Sequence, residues 1–493
     1  MTAVLDRLAS PFEGAEWRPL FTLTAIAVAV GAAAGIVGLY PLAFVLGLAP
    51  FALVAFRSLR AGCMLIVLTA PVVALGSIDA GFHLLPCYVF VAATLVGAIL
   101  RGDLRGFEPR LWDWLLLGFL VVAGTVSVAN MGTVPRTTVI HAVGANAPQL
   151  RSIAQLVAIG TMAALYLVLR IYLTRPERVE ALLRTFIVAT TFVALYAAYQ
   201  AIGERLGLPY TFVNARRALG TIPAHMYLRP NSTLTEASPL ALYMLAGLFL
   251  ALAWLRSSPA RPSWISRRTA AVLAMGTALV IVFTLSVAAA VACSLLAPLV
   301  LALSDRRWRR RIALAAGVLL VLAVVIVLPK YRAGGANAGD VVSAQRYVRE
   351  GYWIAALHTT SDHPFGVGVG NFAFYYPIYA PLNGRYEYQV ALSDAHNVFL
   401  DAAAETGIAG ALLFAGFYAS LFWAGLRSAV RASAARSRGA LANIALALSA
   451  ALAAAMFMHL TYSYPYYPFE WVVAAMVGSL PMLLRPPSRD MAT

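Results

Sequence analysis

Apolar runs long enough to cross a membrane recur along almost the whole chain, and they restrict its fold more than any other feature. A helix needs about 20 consecutive apolar residues to cross roughly 30 Å of hydrocarbon. Hydrophobic residues make up 61% of the 493 residues and charged residues only 12%, so lipid must surround most of the structure. The sequence therefore predicts an all-α fold, a polytopic transmembrane helical bundle.

The apolar runs predict about 14 membrane spans. They lie near 20–38, 42–56, 62–76, 84–100, 111–129, 152–171, 182–202, 239–255, 270–285, 287–303, 312–328, 407–426, 440–459 and 470–484. The stretch from 270 to 303 is too long for one span, which predicts a tight hairpin near Ser286. The expected regions are N-terminal helices (1–110), central helices (111–328) with a loop at 203–238, a large loop with short helices (329–396), and C-terminal helices (397–493).

The distribution of charge predicts how the bundle is oriented. If the N-terminus is cytoplasmic, the segments on that side hold 26 of the 37 basic residues and 10 acidic ones, whereas the outer segments hold 11 of each. Basic residues concentrate on the cytoplasmic side of membrane proteins. Both termini are therefore expected in the cytoplasm, with loops 203–238 and 329–396 outside. The net charge of +16 reflects this sorting and does not indicate a nucleic-acid partner, which would need clustered charge on a soluble domain.

The polar residues that could carry chemistry also fall on the outer side. All seven histidines lie in outer loops or at outer helix ends, and no charged residue lies at the centre of a predicted span. Ion-coupled transporters usually need ionisable groups near the midplane, so an enzyme is favoured over a transporter. A metal-dependent enzyme is a further alternative, because ligand-type side chains occur at His358, Asp362, His363 and His396, although the same residues serve equally well as caps.

The large outer loop predicts a helix followed by a glycine-rich turn. The apolar spacing of Tyr347, Trp353 and Leu357 suits an amphipathic helix lying against the membrane surface. Arg349 is four residues before Trp353, so both fall on one side of that helix. The next segment, 363–372, contains three alternating glycines. No dinucleotide-binding strand and helix surround them, so they indicate a loop whose backbone closely approaches another group.

Tyrosines cluster after this loop and again in the last outer loop. Tyr375 and Tyr376 belong to the first group, and Tyr462 and Tyr467 belong to the second. Two interpretations stay open. The rings form an interfacial aromatic belt, as is common in membrane proteins, or they form a wall on which a sugar stacks.

His396 is the main candidate for a catalytic side chain. Ser393 or Asp394 is expected to cap the following helix, with His396 inside its first turn. The positive end of the helix would favour a neutral imidazole, which can accept a proton. A capping or packing histidine is the alternative interpretation.

Four sequence motifs resemble those of one protein family. His396 and Asn397 are followed by nine residues, Gly407, two residues and Gly410. This pattern, late in the chain and after the largest outer loop, is similar to the signature of the O-antigen ligase and O-antigen polymerase (Wzy-type) superfamily. Also similar are Arg349-x-x-x-Trp353, the segment 363–372 and the segment 229–237. The resemblance covers most of 110–480.

The resemblance implies transfer of a glycan from undecaprenyl diphosphate to an acceptor hydroxyl at the periplasmic face of the bacterial inner membrane. No metal or other cofactor is implied. The acceptor would be the lipid A core or another lipid-linked repeat unit, with membrane lipids as the surroundings. The family roles assign proton transfer or orientation to His396, beside Asn397, and diphosphate binding to Arg349 and Arg229. Contacts to the sugar or acceptor are expected from Trp353, Tyr375, Tyr376, Glu236 and Asp394.

One position departs from the family pattern. The ligases have an arginine at the hairpin that corresponds to 284–288, where this chain has the apolar Val287. Arg216, Arg217 or Arg229 would then supply the second phosphate contact. The departure favours a polymerase or an exopolysaccharide enzyme over a ligase. A flippase or transporter for the same lipid is the alternative from a different functional class.

Overall fold

The structure is a computed structural model that describes residues 40–73, 78–79, 83–134, 148–203, 206, 229–256, 265–304, 338–379, 394–434, 439–462 and 467–484. The spans expected near 20–38 and 312–328 lie outside the described residues.

Helices make up nearly all of the described chain, which confirms the predicted helical bundle. They are α1 (Tyr40–Arg57), α2 (Leu59–Thr69), α3 (Pro86–Arg101), α4 (Leu111–Ala129), α5 (Pro148–Tyr172), α6 (Pro176–Gly203), α7 (Ala237–Arg256), α8 (Arg267–Thr284), α9 (Val287–Ser304), α10 (Ala338–Asp362), α11 (Phe372–Tyr379), α12 (Val398–Ala434), α13 (Gly439–His459) and α14 (Pro468–Leu483). A short 3-10 helix, Asp103–Gly106, follows α3. Two two-residue strands, β1 (Ile78–Asp79) and β2 (His83–Leu84), pair antiparallel between α2 and α3.

Seven of these helices, α4 to α8, α12 and α13, are long and apolar enough to cross a membrane. Apolar stretches of α1, α2, α3, α9 and α14 are shorter. The predicted boundaries of the described helices agree with the observed ones to within about six residues, except at two helices. The second described helix ends at Thr69 rather than near 76, because Pro71 has no amide hydrogen to continue the helical hydrogen bonds. The helix expected from 407 begins earlier, at Val398, and is kinked at Gly407.

The hairpin expected near Ser286 is present. Leu285 has a left-handed backbone with φ of 50°, and it ends α8 directly before α9 begins. The Ser286 hydroxyl accepts the amide of Ala289 at 3.4 Å, which satisfies one of the free amides at the start of α9. Only two residues therefore separate the end of α8 from the start of α9.

The core of the bundle lies around α7 and α13, which are its most buried spans. Helices α7 and α13 contact each other, and α8, α9, α12 and α14 pack around this pair. Helix α8, at the periphery of the bundle, exposes one apolar stripe instead. On α8 this stripe consists of Val272, Met275, Leu279 and Phe283, at spacings of three and four residues. Such a stripe on a long apolar helix suits contact with lipid tails.

One end of the bundle is closed by a buried ion pair. Arg170 on α5 lies 3.1 Å from the carboxylate of Asp113 on α4, and both side chains are less than 10% exposed. Arg170 also donates to the carbonyl of Gly478 on α14, and Tyr166 donates to Asp113 at 2.7 Å. Removing one partner of a buried pair typically costs about 3–5 kcal/mol. The pair therefore fixes α4, α5 and α14 together at the end predicted to be cytoplasmic.

Hydrogen bonds between connecting segments join the opposite end. Thr233 donates to Pro71 at 2.7 Å, Asn130 donates to the carbonyl of Gly366 at 3.3 Å, and Arg151 donates to the carbonyl of Gly370 at 2.9 Å. These segments follow α2 and α4 and precede α5 and α7. Successive spans alternate in direction, so these helix ends are expected on one side of the membrane. We call this the His396 end, because His396 directly precedes α12 there.

Candidate functional site

The backbone around His396 forms a tight turn at the start of α12. The Asp394 carboxylate accepts the amide of His396 at 3.0 Å, and His396 has φ of 48°, in the left-handed region. The Asp401 carboxylate reaches back to the amide of Ala395 at 2.7 Å. A non-glycine residue in this region is uncommon and occurs often at functional sites, where surrounding contacts hold it.

The predicted helix cap is wrong. Asn397 caps α12, because its side-chain oxygen accepts the amides of Phe399 at 3.0 Å and Leu400 at 3.2 Å. His396 therefore precedes the cap instead of lying inside the first turn. The physical reason is that Asp394 is used within the turn, which leaves Asn397 as the side chain in position to accept the free helix amides. Ser393 lies outside the described residues.

Two aromatic rings and one carboxylate surround the imidazole of His396. The ring centroids of Tyr352 and Tyr462 lie 5.4 Å and 6.4 Å from the imidazole centroid. Nδ1 lies 3.7 Å from the Asp394 carboxylate, and it is buried without a hydrogen-bond partner among the described residues. The other ring nitrogen, Nε2, is therefore the one left to meet a ligand.

Arg229 is held against the hairpin between α8 and α9. Its Nε donates to the carbonyl of Thr284, the last residue of α8, at 2.6 Å. Burial lowers the pKa of the Arg229 guanidinium, while the nearby Glu236 and Tyr462 act in the opposite direction. Val287 is the position where the ligases have an arginine, and Arg229 thus lies at the same hairpin.

Tyr462 links the Arg229 segment to His396, and the sequence had placed it only in an aromatic group. Its hydroxyl donates to the Glu236 carboxylate at 2.8 Å, while its ring faces the imidazole of His396. The neighbouring Tyr467 makes a second hydrogen bond between the same two segments, to Thr235 at 2.6 Å. Both contacts join residues more than 200 positions apart, so local sequence patterns carry no signal for them.

Arg349 and Trp353 lie on α10, a helix predicted from the sequence. Arg349 is exposed and Trp353 is half-buried. Although its side chain reaches solvent, the surrounding protein partly desolvates the guanidinium of Arg349 and so lowers its pKa. Tyr352 contacts His396 and follows Arg349 by three residues on α10. Arg349 is therefore about one helical turn from the residue that contacts His396.

Tyr375 and Tyr376 are buried side chains on α11. Tyr375 stacks edge-on against His363 at 5.0 Å between ring centroids, and Tyr376 lies 4.9 Å from Tyr352. Both rings are less than 10% exposed, so they pack the loop region together. A direct contact of either ring with a sugar stays a prediction.

The glycine-rich loop predicted at 363–372 does approach another backbone closely, and its partner is the kink of α12. Gly366, Gly368 and Gly370 all have positive φ, as does Gly407. A Cβ atom on Gly407 would lie 2.5 Å from the carbonyl carbon of Phe365. Backbone hydrogen bonds join the two segments, from Val367 to Ala404 at 3.0 Å and from Ile408 to Pro364 at 3.1 Å. The loop and the start of α12 therefore form one unit.

The remaining candidates do not meet at this site. Arg216 and Arg217 lie outside the described residues. His358 is exposed on α10, and His363 contacts Tyr375 and Tyr379, whereas His396 contacts other rings. Within the described ranges, no group of three or more His, Cys, Asp or Glu side chains has the arrangement of a metal site.

Comparison with known families gives one match. Residues 270–415 match the family model described as O-antigen ligase, named Wzy_C. The match confirms the resemblance to the O-antigen ligase and polymerase superfamily over this part of the chain. The Wzy_C match includes the hairpin, Arg349 and His396, whereas Arg229, Glu236 and Tyr462 lie beyond it. No curated protein matches the chain. The match to this family model supports glycan transfer of the O-antigen ligase or polymerase type in general.

Proposed function

We propose that this protein transfers a glycan from undecaprenyl diphosphate to an acceptor hydroxyl at the periplasmic face of the bacterial inner membrane, without a metal ion. The observation that carries the proposal is the connection from Arg229 through Glu236 and Tyr462 to His396. A guanidinium and an imidazole thus lie at one end of the bundle, next to the Wzy_C hairpin.

Arg229 is suited to bind the diphosphate. Its Nε is occupied by the Thr284 carbonyl, and this is the one hydrogen bond of the guanidinium to the described residues. The outer nitrogens can therefore form the fork that pairs with phosphate oxygens. Arg349 would supply a second positive charge from α10. Pairing the charge of the diphosphate makes it a better leaving group.

His396 is suited to accept the proton of the acceptor hydroxyl. The acceptor oxygen forms a bond to the anomeric carbon, and the bond from that carbon to the diphosphate oxygen breaks. The hydroxyl proton passes to Nε2 of His396, and both bonding electrons leave with the diphosphate. The Asp394 carboxylate, 3.7 Å from Nδ1, would stabilise the positive charge that the imidazole gains.

Two acceptors fit this chemistry, the lipid A core and another lipid-linked repeat unit. Val287 leaves the hairpin without its own guanidinium, and the position of Arg229 against Thr284 supports Arg229 as the substitute phosphate ligand. With that ligand present, both the ligase and the polymerase reaction are consistent with the residues at the hairpin. The product distinguishes them, because a ligase lengthens lipopolysaccharide and a polymerase lengthens the lipid-linked chain.

Replacing His396 tests the proposal. A general base typically contributes about 100- to 10,000-fold in rate, so His396→Ala should abolish glycan product in cells at normal membrane levels of the protein. His396→Gln keeps a hydrogen-bond acceptor but is a poor base, and it should fail as well. Product and unreacted lipid-linked donor are measured together in membrane extracts. Unused donor should accumulate at the periplasmic face.

His358→Ala is the matched control, because His358 is an exposed histidine in the same outer region. It should give normal product. Normal product from His396→Ala would refute the catalytic role, and normal product from His396→Gln would reduce that role to orientation. Donor accumulating only at the cytoplasmic face would indicate a transporter instead.

A further inference from the structure

Tyr352 carries a buried hydroxyl that none of the described residues satisfies. The residue is 0% exposed. Its hydroxyl has no hydrogen-bond partner in the part of the chain that the structure describes. Leaving a buried polar group unpaired costs free energy, and native structures contain few such groups. A bound ligand would supply the hydrogen bond that this hydroxyl lacks among the described residues.

The surroundings of Tyr352 place it in the site rather than in the general core. Its ring packs against the imidazole of His396 at 5.4 Å and against Tyr376 at 4.9 Å. Burial raises the pKa of the Tyr352 phenol, and the nearby Tyr376 and Asp394 raise it further. The phenol therefore stays protonated at neutral pH and acts as a hydrogen-bond donor.

The charge near Tyr352 selects the kind of group it can bind. Asp394 lies close enough to affect the phenol and is also 3.7 Å from the His396 ring. A carboxylate at this position repels a phosphate, which would bind near the arginines instead. It accepts hydrogen bonds well from neutral hydroxyl groups. A donor phenol beside an acceptor carboxylate thus matches the alternating donors and acceptors of a sugar.

We infer that Tyr352, Asp394 and His396 form the subsite for the acceptor sugar. In this subsite the Tyr352 hydroxyl donates to one acceptor oxygen, and Asp394 accepts from a neighbouring hydroxyl. His396 meets the hydroxyl that reacts. The inference rests on the proposed function and adds to it a binding role for Tyr352 and a division of the site into a phosphate side and a sugar side.

Tyr352→Phe tests the inference, because it removes only the hydroxyl. Since this hydroxyl has no partner to lose among the described residues, the thermal unfolding temperature of the purified full-length protein should stay the same or rise slightly. Glycan transfer, measured with lipid-linked glycan extracted from the host membranes, should fall about two- to tenfold, the loss expected for one hydrogen bond.

Tyr243→Phe is the matched control. Tyr243 is equally buried, but its hydroxyl is hydrogen-bonded to Thr190 at 3.2 Å within the membrane bundle. This variant should lower the unfolding temperature and leave transfer per folded molecule unchanged. The two variants are thus expected to show opposite patterns of stability and activity.

Each other outcome overturns a defined part of the inference. Wild-type transfer rates in Tyr352→Phe, with an active wild-type protein, would refute the subsite and leave the proposed function intact. A fall in unfolding temperature like that of Tyr243→Phe would show that the hydroxyl serves a protein partner. If wild-type membranes transferred no glycan, both the proposed function and the subsite would be refuted.

Discussion

Individual residues of this site combine recognisable chemistry with contacts that only folding creates. His396 and Arg349 are identifiable from their motifs, because both lie in segments with a regular spacing. Tyr352 and Tyr462 are two of 22 tyrosines, and nothing in the spacing separates them from the others. Their distinction is that they contact the His396 ring. Function at this scale depends on which side chains meet as well as on their identity.

Replacing the arginines by lysine separates charge from geometry. Arg229→Lys keeps a positive charge, but a single ammonium group is a poor substitute for a guanidinium that binds Thr284 and also presents a fork to phosphate. Arg229→Lys should lower glycan transfer about ten- to a hundredfold, nearly as much as Arg229→Ala, since hydrogen bonds to charged groups contribute about 1.5–3 kcal/mol. Arg349→Lys should likewise resemble Arg349→Ala. Product per molecule of membrane protein is the measurement.

Arg178→Lys is the matched control for these variants. Arg178 is also hydrogen-bonded to a backbone carbonyl, that of Tyr172 at 3.1 Å, but it lies at the opposite end of the bundle. Transfer by this variant should be normal. Full activity of Arg229→Lys and Arg349→Lys would show that neither guanidinium fork takes part in the reaction.

At the level of elements, α12 connects the loop region with the membrane bundle. Its first turns contact the glycine-rich loop, and its later turns pack on α4 and α13. Gly407 separates these two parts with φ of 73° and ψ of 177°, a conformation that is essentially restricted to glycine. The signature glycine is therefore explained by backbone geometry, and its distance from His396 follows from the length of the first part of α12.

Gly407→Ala should disrupt this joint. The backbone strain alone costs about 1–3 kcal/mol, and the new Cβ would also collide with the backbone of Phe365. We expect a lower unfolding temperature in detergent and reduced glycan transfer. The control is Gly416→Ala in the same helix, where the nearest atom to a new Cβ is a leucine methyl group at 3.5 Å.

The control should be neutral or slightly stabilising, because alanine is favoured over glycine in helices by about 1 kcal/mol. If Gly407→Ala is as stable and active as Gly416→Ala, the kink is not needed for the site.

The two ends of the bundle are held together by different interactions. Hydrogen bonds join the outer segments at the His396 end, and the Arg170–Asp113 pair closes the other end. This arrangement agrees with the alternation of spans that the sequence predicts. The side of the membrane on which each end lies is still a prediction from the distribution of basic residues.

Reporter insertions test that orientation. The two reporters are alkaline phosphatase, which is active only in the periplasm, and a fluorescent protein that folds only in the cytoplasm. After Gly370, at the His396 end, alkaline phosphatase should be active and the fluorescent protein dark. After Arg256, at the end of α7, the fluorescent protein should be bright and alkaline phosphatase inactive. The reverse pattern would place the proposed site in the cytoplasm and rule out a periplasmic reaction.

The sequence by itself determined the helical bundle, nearly all of the described spans, the hairpin near Ser286 and the identity of His396 as a candidate. These features depend on local hydrophobicity, on turn residues and on a short motif, all of which are readable along the chain. The predicted cap of α12 was wrong, because several nearby side chains could serve as caps and the turn around Asp394 decided between them.

Only the tertiary structure decided how distant segments meet. It brought Arg229 to Thr284, Tyr462 to both Glu236 and His396, and the hydroxyl of Tyr352 into a buried position without a partner in the described part of the chain. Many helix arrangements satisfy the same hydrophobic pattern, because lipid accepts any apolar face. Side-chain packing and buried hydrogen bonds choose among these arrangements, and they depend on residues far apart in the chain.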